Sequence, residues 1–132
     1  SIAYGIIKNK GKLTILNRTL EKARALAEEL NCSFGSLSDF NKIDTDILIN
    51  TTSVGMHPFV NETPIDTTNL KDIVVFDVIY NPEKTKLLRD AEKNNCTIIS
   101  GKDMFINQAA EQFKLWTKID PDIEFMRQLL NN

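Results

Sequence analysis

The stretch IVVFDVIYNPEKTKLLRDA, residues 73–91, combines the patterns of a strand, a turn and the start of a helix. Its first part, Ile73–Val78, is an apolar run rich in β-branched residues, which is typical of a strand buried on both faces. We predict a helix that opens at Pro82 and Glu83 and continues to about Asn94, because proline suits the first helical turn. Its inward-facing residues are predicted to be Leu87, Leu88 and Ala91. The stretch therefore indicates a strand followed by a helix in a parallel sheet.

The same pattern occurs on both sides of this stretch. Further strands are predicted at Leu13–Leu16, Ile47–Ile49 and Thr97–Ile99, with a weaker one near Ser33 and Phe34. Between the first two strands, Thr19 is placed to N-cap a helix over Leu20–Leu30. Strands that alternate with helices in this way predict a doubly wound, Rossmann-type α/β fold with a parallel sheet.

Two more helices are predicted after the last strand. Asp103 is expected to cap the first of them, and Asp120 followed by Pro121 is expected to start the second. Apolar residues recur at helical spacing in each predicted helix and are expected to be buried. They are Leu20, Ala23, Ala27 and Leu30 in the Leu20–Leu30 helix, Phe105, Ala109, Phe113 and Trp116 in the next, and Phe125, Met126, Leu129 and Leu130 in the last.

The first residues of the sequence do not fit the opening of such a fold. Ser1–Lys8 has the pattern of the back half of a helix ended by Gly11, with no strand before it. A Rossmann-type domain opens with a strand and a glycine-rich turn, and that strand lies at the centre of the sheet. We therefore expect residues 1–132 to be a single nucleotide-binding domain that lacks its first strand and its glycine-rich loop.

Composition excludes several classes of protein. The 132 residues include 16 Lys and Arg and 18 Asp and Glu, and this net charge of −2 gives no broad attraction for nucleic acid or an anionic membrane. No apolar run approaches the roughly 20 residues that span a bilayer. Cys32 and Cys96 have no partners at metal-ligand spacing, so we expect reduced cysteines, no metal site and a cytoplasmic protein. His57 is the only histidine and is expected in a surface loop.

Polar clusters follow all four main predicted strands. They are Asn17–Thr19, Asn50–Met56, Asp77 with Tyr80–Pro82, and Ser100–Gly101. Because ligands bind beyond the carboxyl ends of strands in an open parallel sheet, we expect these clusters to line one rim and form a small-molecule site. In the second cluster, Gly55 would let the backbone approach a ligand; an ordinary turn stabilised by its own hydroxyl groups is the alternative.

Two basic residues at the start of the first predicted helix bear on the choice of nucleotide. NAD-binding domains usually have an acidic residue here for the ribose 2′-hydroxyl, whereas this chain has Arg18, with Lys22 one helical turn further on. A guanidinium fork suits a 2′-phosphate, which favours NADP over NAD. The alternative is that both are ordinary solvated residues at a helix start.

Three further polar residues have two interpretations each. Asp77, in an otherwise apolar strand, is either a structural anchor for nearby backbone, which we favour, or a ligand contact. Tyr80 either offers its hydroxyl group to a polar substrate or packs at the rim. Gln108 either points to the ligand edge or faces solvent.

Four strings together make the chain resemble the shikimate and quinate dehydrogenase family over nearly its whole length. They are ILNRTLEKA at residues 15–23, NTTSVGMHP at 50–58, DVIYNPEKTKLL at 77–88 and SGKDMFINQAAEQF at 100–113. Each string alone is a modest signal. Their order and spacing make the combination specific.

The resemblance implies roles for individual residues. It implies an NADP 2′-phosphate clamp, a loop beside the cofactor's ribose and nicotinamide, contacts to the nicotinamide, and two contacts to the bound cyclohexene acid. These are, in the same order, Asn17, Arg18, Thr19 and Lys22; Thr51, Thr52 and Ser53; Val78, Gly101 and Met104; and Tyr80 with Gln108.

The chain also departs from the family pattern. The glycine-rich turn, and the lysine and aspartate that handle the proton of the reacting hydroxyl in a separate N-terminal domain, have no match here, so no catalytic residue is expected in these 132 residues. The resemblance implies that the complete enzyme reduces 3-dehydroshikimate to shikimate with NADPH and that this segment alone is inactive. A quinate-directed relative, a non-catalytic regulator on the same fold, and a piece of a multifunctional polypeptide remain alternatives. A monomer and a homodimer are both compatible with the sequence.

Overall fold

The structure, a computed structural model, describes residues 1–130 and divides into two compact units. Unit 1 is Ser1–Asp44, and unit 2 comprises the described residues from Thr45 onward. Each contains its own parallel sheet, and helices alternate with most of the strands along the chain. The predicted α/β class with parallel strands is confirmed.

Unit 1 is built on two parallel strands. Its elements are α1 (Ile2–Lys8), β1 (Thr14–Asn17), α2 (Leu20–Leu30), β2 (Ser33–Ser36) and a 3₁₀ helix (Leu37–Lys42). β1 pairs with β2 from Thr14 opposite Ser33 to Asn17 opposite Ser36. The weak strand signal near Ser33 was therefore correct, and the predicted bounds of α2 are confirmed.

One side of α2 is buried, but its stripe is narrower than predicted. Ala23, Ala27 and Leu30 are buried, whereas Leu20 is 45% exposed. Leu20 is the first residue of the helix, so no preceding helical turn lies beside its side chain. The helix ends at Asn31, which adopts the left-handed conformation (φ 50°) that asparagine tolerates.

Unit 2 contains three parallel strands in the order β3-β4-β5. Its elements are β3 (Ile47–Asn50), β4 (Val74–Asp77), α3 (Lys86–Lys93), β5 (Thr97–Ile99), α4 (Gly101–Thr117) and α5 (Ile123–Leu129). Val75 of the central strand, Leu87 and Leu88 of α3, and Ile106 of α4 are at most 1% exposed. These side chains form the core of the unit, and the inward positions predicted for α3 are confirmed.

Three helix starts differ from the prediction, and side-chain caps explain those of α3 and α5. α3 begins at Lys86 rather than near Pro82, because the hydroxyl group of Thr85 accepts a hydrogen bond from the backbone N–H of Leu88. α4 begins directly after Ser100, so Asp103 is inside its first turn and does not cap it. α5 is capped by Asp122, whose carboxylate accepts from the N–H of Phe125, and not by Asp120.

The buried face of α4 was predicted wrongly. Ile106 and Ala110 are buried, whereas Phe105 and Phe113 are 41% and 42% exposed and Trp116 is 76% exposed. The large side chains do recur at helical spacing, but the residues one position further on from Phe105 and Ala109, which are Ile106 and Ala110, are the buried ones. Phe125 and Leu129 of α5 and Leu130, which follows that helix, are likewise exposed.

Candidate functional site

The carboxyl edge of the sheet in unit 2 carries three of the four predicted polar clusters. β3, β4 and β5 are parallel, so the segments that begin at Thr51, Val78 and Ser100 leave the sheet at the same edge. The structure therefore brings these three clusters together. The remaining cluster, Asn17–Thr19, follows β1 in unit 1, and its convergence with the others stays a prediction.

Asp77 is the structural anchor of this edge. Its side chain is 0% exposed. Its Oδ1 accepts hydrogen bonds from Asn50 Nδ2 and from the N–H of Ile79, each at 3.1 Å, and its Oδ2 accepts from the Thr85 hydroxyl at 2.7 Å. A buried carboxylate needs such partners to offset the loss of its hydration. The anchor interpretation therefore holds, and the carboxylate is not accessible to a ligand.

The loop after β3 combines an ordered turn with exposed hydroxyl groups. Asn50 Oδ1 accepts from the N–H of Thr52 at 3.0 Å and from its hydroxyl at 2.8 Å, which is an Asx turn. The exposed hydroxyl groups of Thr51 and Ser53 bond to no described residue. Thr52 thus stabilises the turn, while Thr51 and Ser53 keep donors and acceptors for a ligand.

Gly55 serves the turn and not a ligand. It has φ of +103°, which disfavours any side chain, and it is buried. A Cβ at Gly55 would stand 3.4 Å from Cβ of Thr85, so the loop packs against the residue that caps α3. The expected approach of a ligand to this glycine is not supported. His57 is exposed in the same loop, as predicted.

Gly101 and Val78 are neighbours at the edge. A Cβ on Gly101 would stand 2.2 Å from the Val78 carbonyl oxygen and 2.6 Å from the carbonyl carbon of Ile79. No side chain fits in that space. Glycine here allows the start of α4 to lie directly on the backbone that follows β4, which brings two predicted nicotinamide contacts together.

Tyr80 extends from the same segment into solvent. Its side chain is 58% exposed, its ring stacks on that of Phe105, and its hydroxyl group bonds to no described residue. The rim-packing interpretation of Tyr80 is therefore supported, and its contact with a substrate stays a prediction. The ring packs at the rim, and the hydroxyl group remains available.

Met104 and Gln108 lie on the side of α4 that includes Gly101. Helical spacing of three and seven residues from Gly101 places them on that side. Met104 is half-buried, whereas Gln108 is exposed and its amide bonds to no described residue. The position of Gln108 fits both of its interpretations.

Two cations at the start of α2 in unit 1 have no partner among residues 1–130. Asn17 Oδ1 accepts from the N–H of Thr19 at 2.9 Å, which fixes the turn from β1 into the helix. Arg18 and Lys22 are exposed, and neither side chain forms a hydrogen bond or ion pair with a described residue. By contrast, Arg24 on the same helix pairs with Glu28 at 2.7 Å. The two predicted phosphate ligands are thus accessible to an anion.

Asp39 shapes the carboxyl end of β2. Its Oδ2 accepts from the backbone N–H of Ser36 at 2.9 Å and from its hydroxyl at 2.7 Å, while Oδ1 pairs with Lys42 at 2.8 Å. Lys42 and then Ser36 hold the pKa of the Asp39 carboxyl well below its usual range. Asp39 is therefore a charged residue that, together with Ser36, caps the 3₁₀ helix, and it is bonded to both Ser36 and Lys42.

Two residues of the edge were missed by the sequence analysis. Thr85 had a readable signal, since a threonine three residues before Leu88 is the spacing of an N-cap bond. Phe105 was assigned to the core because its spacing matches Phe113, and only the tertiary structure shows its ring against Tyr80.

Neither a metal-binding cluster nor a membrane-spanning helix occurs within residues 1–130. No three His, Cys, Asp or Glu side chains in this part of the chain are grouped to hold a metal ion. None of its helices is both long and apolar enough to cross a bilayer.

Comparison with known proteins gives consistent matches. The family described as Shikimate 5′-dehydrogenase C-terminal domain matches residues 101–130. A curated relative from Methanococcus aeolicus, Shikimate dehydrogenase (NADP(+)), is 41% identical over 139 residues, which cover 98% of this chain and 50% of the relative.

Two solved structures have the same fold. Shikimate 5-dehydrogenase from Thermus thermophilus, in complex with NADP(H) and shikimate, has a TM-score of 0.87 and 27% identity, over 96% of this chain and 48% of that chain. Quinate dehydrogenase from Corynebacterium glutamicum, in complex with NAD, has a TM-score of 0.88 and 30% identity, over 99% and 50%.

The chain spans about half the length of the curated relatives it matches. Identity of about 40% along nearly all of the chain, the match at α4 and the parallel α/β sheets agree with one another. The chain belongs to the shikimate dehydrogenase family, where it corresponds to the C-terminal domain.

Proposed function

We propose that this chain is the NADP-binding half of a shikimate dehydrogenase, which reduces 3-dehydroshikimate to shikimate with NADPH in aromatic amino acid biosynthesis. The observation that carries the proposal is the pair of exposed cations at Arg18 and Lys22, which have no partner among the described residues, in a chain whose relatives are named as NADP(+) enzymes. The whole protein is the protein that contains this half together with the remaining half.

The chemistry of unit 1 fits the adenosine end of NADP. A 2′-phosphate needs charge-assisted hydrogen bonds, and Arg18 offers a planar fork for them while Lys22 adds a second charge. Asn17 and Thr19 hold the turn that presents Arg18. These four residues are the proposed phosphate clamp.

The carboxyl edge of unit 2 fits the reactive end of the cofactor. Thr51 and Ser53 have exposed hydroxyl groups, and Thr52 fixes the loop that carries them. At Gly101 no side chain stands between α4 and the Val78 backbone, so both backbone segments are candidates for contact with a planar ring, with Met104 three residues further along α4. We assign the ribose and nicotinamide of the cofactor to this surface.

Tyr80 and Gln108 are the proposed substrate contacts from this half. A polyhydroxylated acid requires several donors and acceptors, and both side chains have polar groups that bond to no described residue. They orient the substrate but do not exchange its proton.

NADPH, when bound, supplies the hydride for the substrate's carbonyl carbon. The carbonyl oxygen then needs a proton, which the family supplies through a lysine and an aspartate. We place these two residues in the other half of the whole protein, outside this chain. On this proposal residues 1–132 are the nucleotide-binding domain without its glycine-rich loop, and the 132-residue chain alone has no turnover. We also propose a cytoplasmic enzyme that acts on a small molecule without nucleic-acid or membrane partners, as a monomer or homodimer.

The test is reduction of NADP⁺ that depends on shikimate, followed by the absorbance of NADPH, with the whole protein and with the 132-residue chain. We expect turnover by the whole protein and none by the chain. No turnover by the whole protein with either shikimate or quinate would overturn the enzymatic assignment. Turnover by the isolated chain would overturn the placement of the acid–base pair.

A quinate dehydrogenase that uses NAD is the second candidate, favoured by the fold match to the Corynebacterium glutamicum enzyme. The same assay separates the two, since a quinate enzyme would turn over quinate with NAD⁺ more efficiently than shikimate with NADP⁺. Arg18 and Lys22 favour the first candidate, because two cations offer nothing specific to a free 2′-hydroxyl.

A further inference from the structure

Three side chains form a buried hydrogen-bonded triad beneath the carboxyl edge of unit 2. The triad is Asn50, Asp77 and Thr85, which are 3%, 0% and 0% exposed. Asn50 ends β3 directly opposite Asp77 at the end of β4, so the register of the sheet sets the two side chains beside each other. The three described donors to the Asp77 carboxylate are all neutral: an amide, a backbone N–H and a hydroxyl group.

The triad holds the loop after β3 through Asn50. Asn50 Oδ1 accepts hydrogen bonds from the N–H and from the hydroxyl group of Thr52. The Thr52 hydroxyl group in turn accepts from the N–H of Val54 at 3.2 Å. Asn50 Nδ2, which also donates to Asp77, lies 3.4 Å from the Val54 carbonyl oxygen. The course of residues 51–54 is therefore fixed from the buried side, while Thr51 and Ser53 stay exposed.

The triad also holds the segment that carries Tyr80, at both of its ends. At one end the N–H of Ile79 donates to Asp77, and at the other the Thr85 hydroxyl donates to the same carboxylate. Thr85 simultaneously accepts from the N–H of Leu88 and so starts α3. One carboxylate thus receives bonds from both ends of the connection between β4 and α3.

We infer that Asp77 is a positioning residue, which with Asn50 and Thr85 sets the loop Thr51–Ser53 and the Tyr80 segment in one fixed relation. The inference rests on the proposed function, in which the loop contacts the cofactor and Tyr80 contacts the substrate. A carboxylate is suited to this task because its two oxygens accept from several directions at once, and each donor group belongs to a different part of the edge. Loss of one bond in such a network leaves a buried polar atom unpaired.

The test compares Thr85→Val with Thr85→Ser in the whole protein. Valine keeps the shape of threonine and removes the hydroxyl group, whereas serine keeps the hydroxyl and removes the methyl. We expect Thr85→Val to raise both KM for NADPH and KM for 3-dehydroshikimate by about tenfold or more, because one triad disturbs two contact regions. Thr85→Ser should keep both KM values close to those of wild type. Thr97→Val, an exposed threonine on β5, is the matched control and should change neither KM.

A purely structural role of Thr85 predicts a different result. It would lower the thermal midpoint and the fraction of active enzyme, and so kcat, with both KM values unchanged in the molecules that remain folded. Both KM values within about twofold of wild type for Thr85→Val would overturn the inference, as would a rise in one KM alone.

Amide hydrogen exchange separates this inference from the proposed function. In Thr85→Val and in Asp77→Asn we expect faster exchange at Thr52, Val54 and Ile79, which lie on both sides of the triad. This readout needs no substrate, so an inactive whole protein would overturn the proposed function and still leave the triad tested. Unchanged exchange on the Thr52 side in both variants would show that the two segments are not coupled.

Discussion

The rings of Tyr80 and Phe105 stack with their centroids 5.2 Å apart and their planes 28° from parallel. Tyr80 is on the segment after β4 and Phe105 is on the second turn of α4, so the contact joins two elements that both carry predicted ligand contacts. Stacked aromatic pairs contribute about 0.5–1.5 kcal/mol beyond the area they bury. Phe105 is therefore expected to hold the Tyr80 ring while the hydroxyl group stays accessible.

Phe105 is not a proposed substrate contact, but its removal should weaken substrate binding through Tyr80. We expect Phe105→Ala in the whole protein to raise KM for 3-dehydroshikimate about 2- to 10-fold, because the Tyr80 ring loses its support. Tyr80→Phe keeps the stack and loses only the hydroxyl group, and should give a similar rise. Phe113→Ala, which removes an equally exposed phenylalanine from the same helix, is the control. An effect of Phe113→Ala equal to that of Phe105→Ala would show that α4 as a whole, and not the stack, is responsible.

Gly101→Ala is expected to destabilise the protein. Its new Cβ would stand 2.2 Å from the Val78 carbonyl oxygen, and backbone atoms on both sides would have to shift. Overpacking of this kind costs about 1–3 kcal/mol in the free energy of unfolding. Chemical denaturation measures it.

Gly5→Ala is the matched control for that substitution. Gly5 lies in α1, and apart from its chain neighbours and the nearby backbone of its own helix no atom lies within 4 Å of the position of a Cβ. Alanine there should stabilise the helix by up to about 1 kcal/mol. A Gly101→Ala protein as stable as wild type would contradict the close packing of α4 on the Val78 backbone.

The sequence was sufficient to predict the strands and most of the helices, because each main strand is a short β-branched run and three of the four are followed by a helical pattern. It also placed Asp77 correctly as an anchor, since a carboxylate in an apolar strand has few other ways to be satisfied. Its failures were in tertiary detail. Phe105 has the same local pattern as a core residue, yet the tertiary structure buries Ile106 instead. Gly55 looked suited to a ligand, but the side chain that packs beside it, Thr85, is distant in sequence.

The Asp39 cap predicts a dependence of stability on pH. Lys42 and Ser36 lower the pKa of Asp39 in the folded state. The charged carboxylate therefore contributes fully to folding stability above the pKa that Asp39 has in the unfolded chain. That contribution is lost as pH falls through the folded-state pKa. We expect Asp39→Asn to be less stable than wild type at neutral pH, with the difference shrinking in strong acid. Asp44→Asn, at an aspartate that follows the same 3₁₀ helix, is the control, and urea unfolding at several pH values is the measurement. A difference between Asp39→Asn and wild type that is the same at every pH would contradict the role of the charge.

Arg18→Asp should reverse the preference for the cofactor. In wild type we expect NADPH to bind more tightly than NADH, because the exposed guanidinium at the start of α2 meets the 2′-phosphate. Aspartate at this position repels the phosphate and accepts hydrogen bonds from a free 2′-hydroxyl, so Kd for NADPH should rise about 10- to 100-fold while Kd for NADH stays the same or falls. Arg24→Asp makes the same change of charge on the same helix, at a residue already paired with Glu28, and should leave the ratio of the two Kd values unchanged. Fluorescence titration of the whole protein with each nucleotide gives both constants. Because the two variants carry the same net charge, a loss of NADPH affinity in both would indicate a general field effect and contradict a clamp at Arg18, whereas a loss confined to Arg18→Asp would locate the phosphate at the turn between β1 and α2.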